Sequence, residues 1–214
     1  MLADLRFYIV YLSLLSGICG LSYWYKLPDY KSRLIVVSIW FSALIEIVGK
    51  YFTACTGLLN FCVFNLYILL IFSLYIFLLK SLLKNQSYKY LAVFLLLVFV
   101  VYFAINSILG DPLKDILVSS YAVGVISIAI LSFLYLLEVF SSNLILNYTK
   151  SIFFWFILGI LILHVPFLPF MLSLDWFLID YNPSIYELII FFLNLLMNCC
   201  FAAGFIWSER KYNY

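Results

Sequence analysis

Seven polar side chains stand inside long apolar stretches of this sequence: Glu46, Lys50, Asn65, Asn106, His164, Glu187 and Asn194. An ionisable group in such a setting is costly, so it faces protein, a cavity or a partner rather than lipid. Glu46 and Lys50 are four residues apart with the acid first, the favourable order for an ion pair on a helix. Ser38, Ser42, Glu46, Gly49, Lys50 and Thr53 fall within one sector when placed at 100° per residue. Glu187, Asn194 and Asn198 form a second stripe, at i, i+7 and i+11. His164 is the single histidine, with Pro166 and Pro169 just after it, which free backbone carbonyls and predict a kink.

The same inventory excludes several chemistries. Zinc needs three or four Cys, His or carboxylate ligands, so one histidine and scattered acids predict no metal site. Two-histidine haem ligation is impossible, and the last apolar stretch lacks the lysine a retinal Schiff base would need. No Gly-rich phosphate loop or G-x-S-x-G elbow occurs, and no cofactor is expected. A triad of His164, Glu46 and a serine is a weaker reading than a histidine packed in a core. The five cysteines are Cys19, Cys55, Cys62, Cys199 and Cys200; Cys55 and Cys62 flank one turn, where a disulfide is an open alternative.

These residues are positioned by seven apolar segments: Phe7–Tyr25, Leu34–Thr53, Phe61–Leu83, Tyr90–Leu109, Ile116–Phe140, Ser151–Phe170 and Ile185–Trp207. The 214 residues are 67% hydrophobic and only 10% charged, with mean hydropathy +1.16. A soluble domain carries roughly 25% charge, so this surface is not water-facing all round. A span needs about 20 apolar residues, and seven of them leave no room for a soluble domain. The runs are too long for barrel strands and lack period-two alternation, so they read as helices. The expected fold is all-α, a single seven-transmembrane-helix domain over residues 1–214. The net charge of +2 is too small and dispersed to suggest nucleic acid.

Basic residues set the expected orientation. Lys26, Lys31, Arg33, Lys80, Lys84, Lys89, Lys150, Arg210 and Lys211 lie on one set of connections, and only Arg6, Lys50 and Lys114 on the other. The N-terminus is then outside and the C-terminus cytoplasmic, in the inner membrane of the cell. With Asp4 beside Arg6 and the basic cluster after the first segment, that segment reads as a span inserted N-out rather than a cleaved signal peptide. The sequons at Asn85 and Asn147 fall on the cytoplasmic side and should be inert. Small-residue stripes, Ser13–Gly17–Gly20 on the first helix and Ser120–Gly124–Ser127 on the fifth, mark helix-packing faces.

In this orientation Glu46 lies about 18 Å from the cytoplasmic end of its helix at 1.5 Å per residue. The polar groups gather in the outer half, above an inner half of Phe, Leu, Ile and Val. Glu46, Asn65, Asn106, His164, Glu187 and Asn194, with Lys50 at the rim, are therefore expected to line one cavity open to the outside.

Several stretches resemble a group of small seven-helix bacterial membrane proteins of unknown function, often encoded near sensor histidine kinases. They are Phe41-Ser-Ala-Leu-Ile-Glu-Ile-Val-Gly49, Ile105-Asn-Ser-Ile108, Leu131-Ser-Phe-Leu-Tyr135, Phe154-Trp155 with Gly159, and Asn194 through Phe205. This resemblance implies a seven-helix signalling-type module. The chain differs from that group in lacking a charged residue on the third helix after Asn65 and on the fifth near Tyr121. The leading expectation is a non-enzymatic receptor-like or regulatory membrane protein. Its partners would be the lipid bilayer, a small-molecule ligand from outside and a membrane or cytoplasmic signalling partner. A small-solute transporter or substrate-binding membrane component is the alternative, and an intramembrane enzyme using His164 and Glu46 the third.

Overall fold

A computed structural model of the chain describes residues 5–172 and 183–213. Seven α-helices occur among them, with no strand: α1 (Leu5–Ser22), α2 (Tyr30–Thr56), α3 (Phe61–Leu82), α4 (Gln86–Leu109), α5 (Val118–Phe140), α6 (Ile152–Leu172) and α7 (Pro183–Trp207). Each coincides with one expected apolar segment. Helix is the conformation that lets an isolated apolar segment satisfy its own N–H and C=O groups. Six helices, α2 to α7, are long and apolar enough to cross a membrane, and α1 carries a shorter apolar stretch over Tyr8–Ser22.

Two helices begin a turn earlier than their apolar runs, because polar side chains start them. Asp29 Oδ1 accepts from Tyr30 N at 2.7 Å, and its carbonyl accepts from Ser32 Oγ at 2.8 Å, so α2 starts at Tyr30 rather than Leu34. Asn85 is the N-cap of α4, its side chain accepting from Ser87 N, so α4 starts at Gln86 rather than Tyr90. Helix α6 continues through both Pro166 and Pro169.

The chain divides into two compact units: Met1–Ala43 with Leu146–Tyr214, and Leu44–Ile145. In the first unit α7 packs along both α6 and α1. Glycines permit the approach. A Cβ on Gly159 would lie 2.7 Å from Phe201 Cε1, and one on Gly20 2.8 Å from Phe205 Cζ and 3.0 Å from Val36 Cγ2. Phe156 and Phe201 stack with centroids 5.6 Å apart.

In the second unit α3, α4 and α5 pack against one another. Phe72, fully buried, sits at their centre against Tyr75, Phe99 and Tyr121, with centroids 5.4–6.4 Å away. Gly124 lies directly beneath its ring. Both small-residue stripes thus serve helix packing. Outward faces are apolar as well: on α4, Phe94, Leu97, Val101 and Ile108 are all more than half exposed. A continuous face of that kind suits hydrocarbon, not water.

Candidate functional site

The expected site residues fall into two sets, one in each unit. Glu46, Lys50, Asn65 and Asn106 belong to the second unit, and His164, Glu187 and Asn194 to the first.

In the second unit the two asparagines are committed to structure. Asn65, on the first turns of α3, is buried. Its Nδ2 donates to the carbonyls of Pro112 (2.9 Å) and Asp115 (2.8 Å), and its Oδ1 accepts from Leu117 N at 3.0 Å. One amide therefore satisfies three backbone groups of the α4–α5 connection, which has no regular structure to satisfy them. Asn106 Nδ2 donates to Ser120 Oγ at 2.9 Å, joining α4 to the start of α5 where Ser120 is fully buried. Glu46 is half-buried and Lys50 exposed on α2. Beside them, Gly49 O accepts from Asn60 Nδ2 at 3.2 Å, which ties the α2–α3 turn.

In the first unit the stripe on α7 is graded along its length. Asn198 is buried: its Oδ1 accepts from Ser16 Oγ of α1, and its Nδ2 donates to Asn194 O at 2.9 Å. Asn194, half-buried, donates from Nδ2 to Ile190 O of its own helix at 2.9 Å, an intrahelical bond that joins no second helix. Glu187, near the start of α7, has its Oε2 buried with no hydrogen-bond partner among the described residues. His164 is buried on α6. Trp40 Nε1 and Ser132 Oγ are the other buried side-chain atoms without a partner among the described residues. A neutral indole or hydroxyl left so costs about 1–3 kcal/mol, and a carboxylate more. Glu187 is thus the group with most to gain from a cation or an N–H donor.

Other polar residues had no sequence signature. Glu138, near the end of α5, accepts from the backbone N–H of Lys84 (2.7 Å) and Asn85 (2.8 Å) and so holds the α3–α4 turn. Asn213 is fully buried: its Oδ1 accepts from Ile152 N at 2.9 Å, and its Nδ2 donates to Lys26 O (3.1 Å) and Ser208 Oγ (3.2 Å). Lys26 Nζ donates to the last carbonyls of α7, Phe205 O (3.2 Å) and Ile206 O (2.7 Å), where a cation complements the helix dipole. Glu209 bridges Lys150 (2.9 Å) and Lys211 (3.2 Å). Hydrogen bonds from Lys150 and then Lys211 hold its carboxyl below the usual carboxylate range. Residues 208–213 are thereby clasped against the α1–α2 turn and the start of α6.

Among the described residues no three His, Cys, Asp or Glu side chains gather to hold a metal ion. Cys55 and Cys62 are both free thiols. No known protein family, curated protein or solved structure matches the chain.

Proposed function

We propose that this chain is a non-enzymatic, receptor-like or regulatory multi-pass membrane protein. It takes up a small ligand from outside at the end of the first unit where α7 begins. The observation that carries this reading is Glu187 Oε2, buried and without a hydrogen-bond partner among the described residues. A carboxyl oxygen in that state favours a ligand that brings it a positive charge or an N–H donor. His164 on α6 and Asn194 on α7 are the further polar groups of this unit proposed to face the ligand. The short connections between the apolar helices favour signalling through a partner over catalysis. So does the resemblance to small seven-helix proteins encoded near sensor kinases. The basic-residue bias supports an outside location for this end and a cytoplasmic one for residues 208–213.

The test is a thermal-shift screen of the purified full chain with small amines and other cationic or donor-rich solutes. A specific ligand should raise the melting temperature of the wild type and fail to do so for Glu187→Gln. If the variant responds to the same ligands with the same shifts, Glu187 is no part of a binding site and the proposal fails.

A further inference from the structure

The opposite end of the first unit carries a different chemistry. Lys26, Lys31, Arg33, Lys150, Arg210 and Lys211 gather there with, among the described residues, only Asp29 and Glu209, a net side-chain charge of +4. Hydrogen bonds place them at one end: Lys26 to the carbonyls ending α7, Arg33 Nε to Leu27 O (3.1 Å), Asn213 to both Lys26 O and Ile152 N, and Glu209 to Lys150. Exposed aromatic rings stand among the charges. Trp207 is 62% exposed, edge-on to Trp155 at 5.2 Å, and Tyr25 is 67% exposed. Trp155 Nε1 donates to Thr149 O at 2.8 Å. Exposed Trp and Tyr at the ends of apolar helices mark the level of lipid headgroups.

Two cations in this collar are unneutralised. The Arg210 guanidinium is exposed and meets no carboxylate among the described residues. Arg33 is exposed too, lying over the Trp24 ring at 5.4 Å and likewise meeting no acid among them. Neither is on a loose segment. Arg33 is in the first turn of α2, and Arg210 in a 3-10 turn (Arg210–Tyr212) that buried Asn213 locks in place. A guanidinium held with free N–H groups at headgroup level is matched to phosphate oxygens, which it can bind in a bidentate fashion.

We propose that this end of the unit is a binding surface for anionic phospholipid headgroups, with Arg33 and Arg210 as the phosphate-contacting residues. The carboxylates present, Asp29 and Glu209, are occupied by Lys31 (3.6 Å) and by Lys150 and Lys211. They therefore leave the arginines to the lipid. The clasp of residues 208–213 fixes Arg210 before lipid arrives, so little side-chain and backbone freedom is lost on binding.

The experiment uses the full chain purified in a mild neutral detergent. It is titrated with phosphatidylglycerol, with phosphatidylcholine and with inorganic phosphate, and bound lipid is read by native mass spectrometry. With about five-fold from each of the two arginines, the wild type should retain phosphatidylglycerol at least about twenty-five-fold over phosphatidylcholine. Each basic side chain near a membrane surface is worth about a five-fold change in affinity. Arg33→Gln/Arg210→Gln should therefore weaken phosphatidylglycerol binding by about twenty-five-fold and leave phosphatidylcholine unchanged. Arg210→Gln alone, at an exposed position, should cost about five-fold and covers the case of a double variant that folds poorly. Equal retention of the two lipids, or an unchanged preference in the Arg210→Gln variant, overturns the proposal. Displacement of the lipid by inorganic phosphate at equal concentration would overturn it as well, by assigning the surface to free anions.

Discussion

Replacing Gly124 by alanine sets two effects of known size against each other. Alanine is the better helix former by about 1 kcal/mol, so on an open helix face the change would stabilise. Here the new Cβ would lie 2.7, 2.9 and 3.0 Å from Cγ, Cδ2 and Cδ1 of Phe72. Carbon atoms in good contact are about 3.5–4.0 Å apart, so the ring would have to retreat by about 1 Å. It has nowhere to go: Phe72 is 0% exposed and is bounded by Tyr75, Phe99 and Tyr121. Overpacking of a closed core costs about 1–3 kcal/mol, which exceeds the propensity gain. Gly124→Ala should be destabilising by about 1 kcal/mol net, read as a lower melting temperature in detergent. Gly124→Ala/Phe72→Leu should recover part of that loss relative to Phe72→Leu alone, because the smaller side chain makes room. An unchanged or raised melting temperature for Gly124→Ala, or strict additivity in the cycle, would refute the packing argument for this unit.

Two further outcomes follow from the polar staples. Asn65→Ala leaves Leu117 N and two carbonyls of the α4–α5 connection without their partner, so it should cost about 3 kcal/mol; a loss below about 0.5 kcal/mol, within the range of ordinary surface substitutions, would show that water replaces the amide. Glu209 titrates below its ordinary value because of Lys150 and Lys211. A depressed folded value means that its contribution is present above the unfolded carboxylate pKa and is lost as pH falls through the lower folded one. Melting temperature should therefore fall more steeply for the wild type than for Glu209→Gln as pH drops below about 4, and parallel curves would contradict the clasp.

The helices were legible from sequence because an apolar run of span length admits one backbone solution. The early starts of α2 and α4 were missed because hydropathy does not register Asp29 or Asn85 acting as caps. The stripes Ser13–Gly17–Gly20 and Ser120–Gly124–Ser127 were legible as packing faces, since helical periodicity alone aligns them. Which large side chain each would meet was not. The polar residues show the limit most clearly. Asn65, Asn106, Glu187 and Asn194 all looked alike as intramembrane polar groups. What distinguishes them is a partner remote in the chain: residues 112–117 for Asn65 and Ser120 for Asn106. Asn198 likewise meets Ser16, across nearly the whole sequence. Glu138 and Asn213 were invisible for the same reason, each lying near a helix end where a polar residue is unremarkable.

The central claim, that Glu187 and Asn194 in the first half of α7 face a site open to the outside, is tested most directly by chemical accessibility. Glu187→Cys and Asn194→Cys would be made singly in a background where Cys19, Cys55, Cys62, Cys199 and Cys200 are replaced, and treated in intact cells with a membrane-impermeant thiol reagent. The account predicts that both positions are modified from outside. Protection of both until the membrane is dissolved, or modification only when the cytoplasmic face is opened, would contradict it.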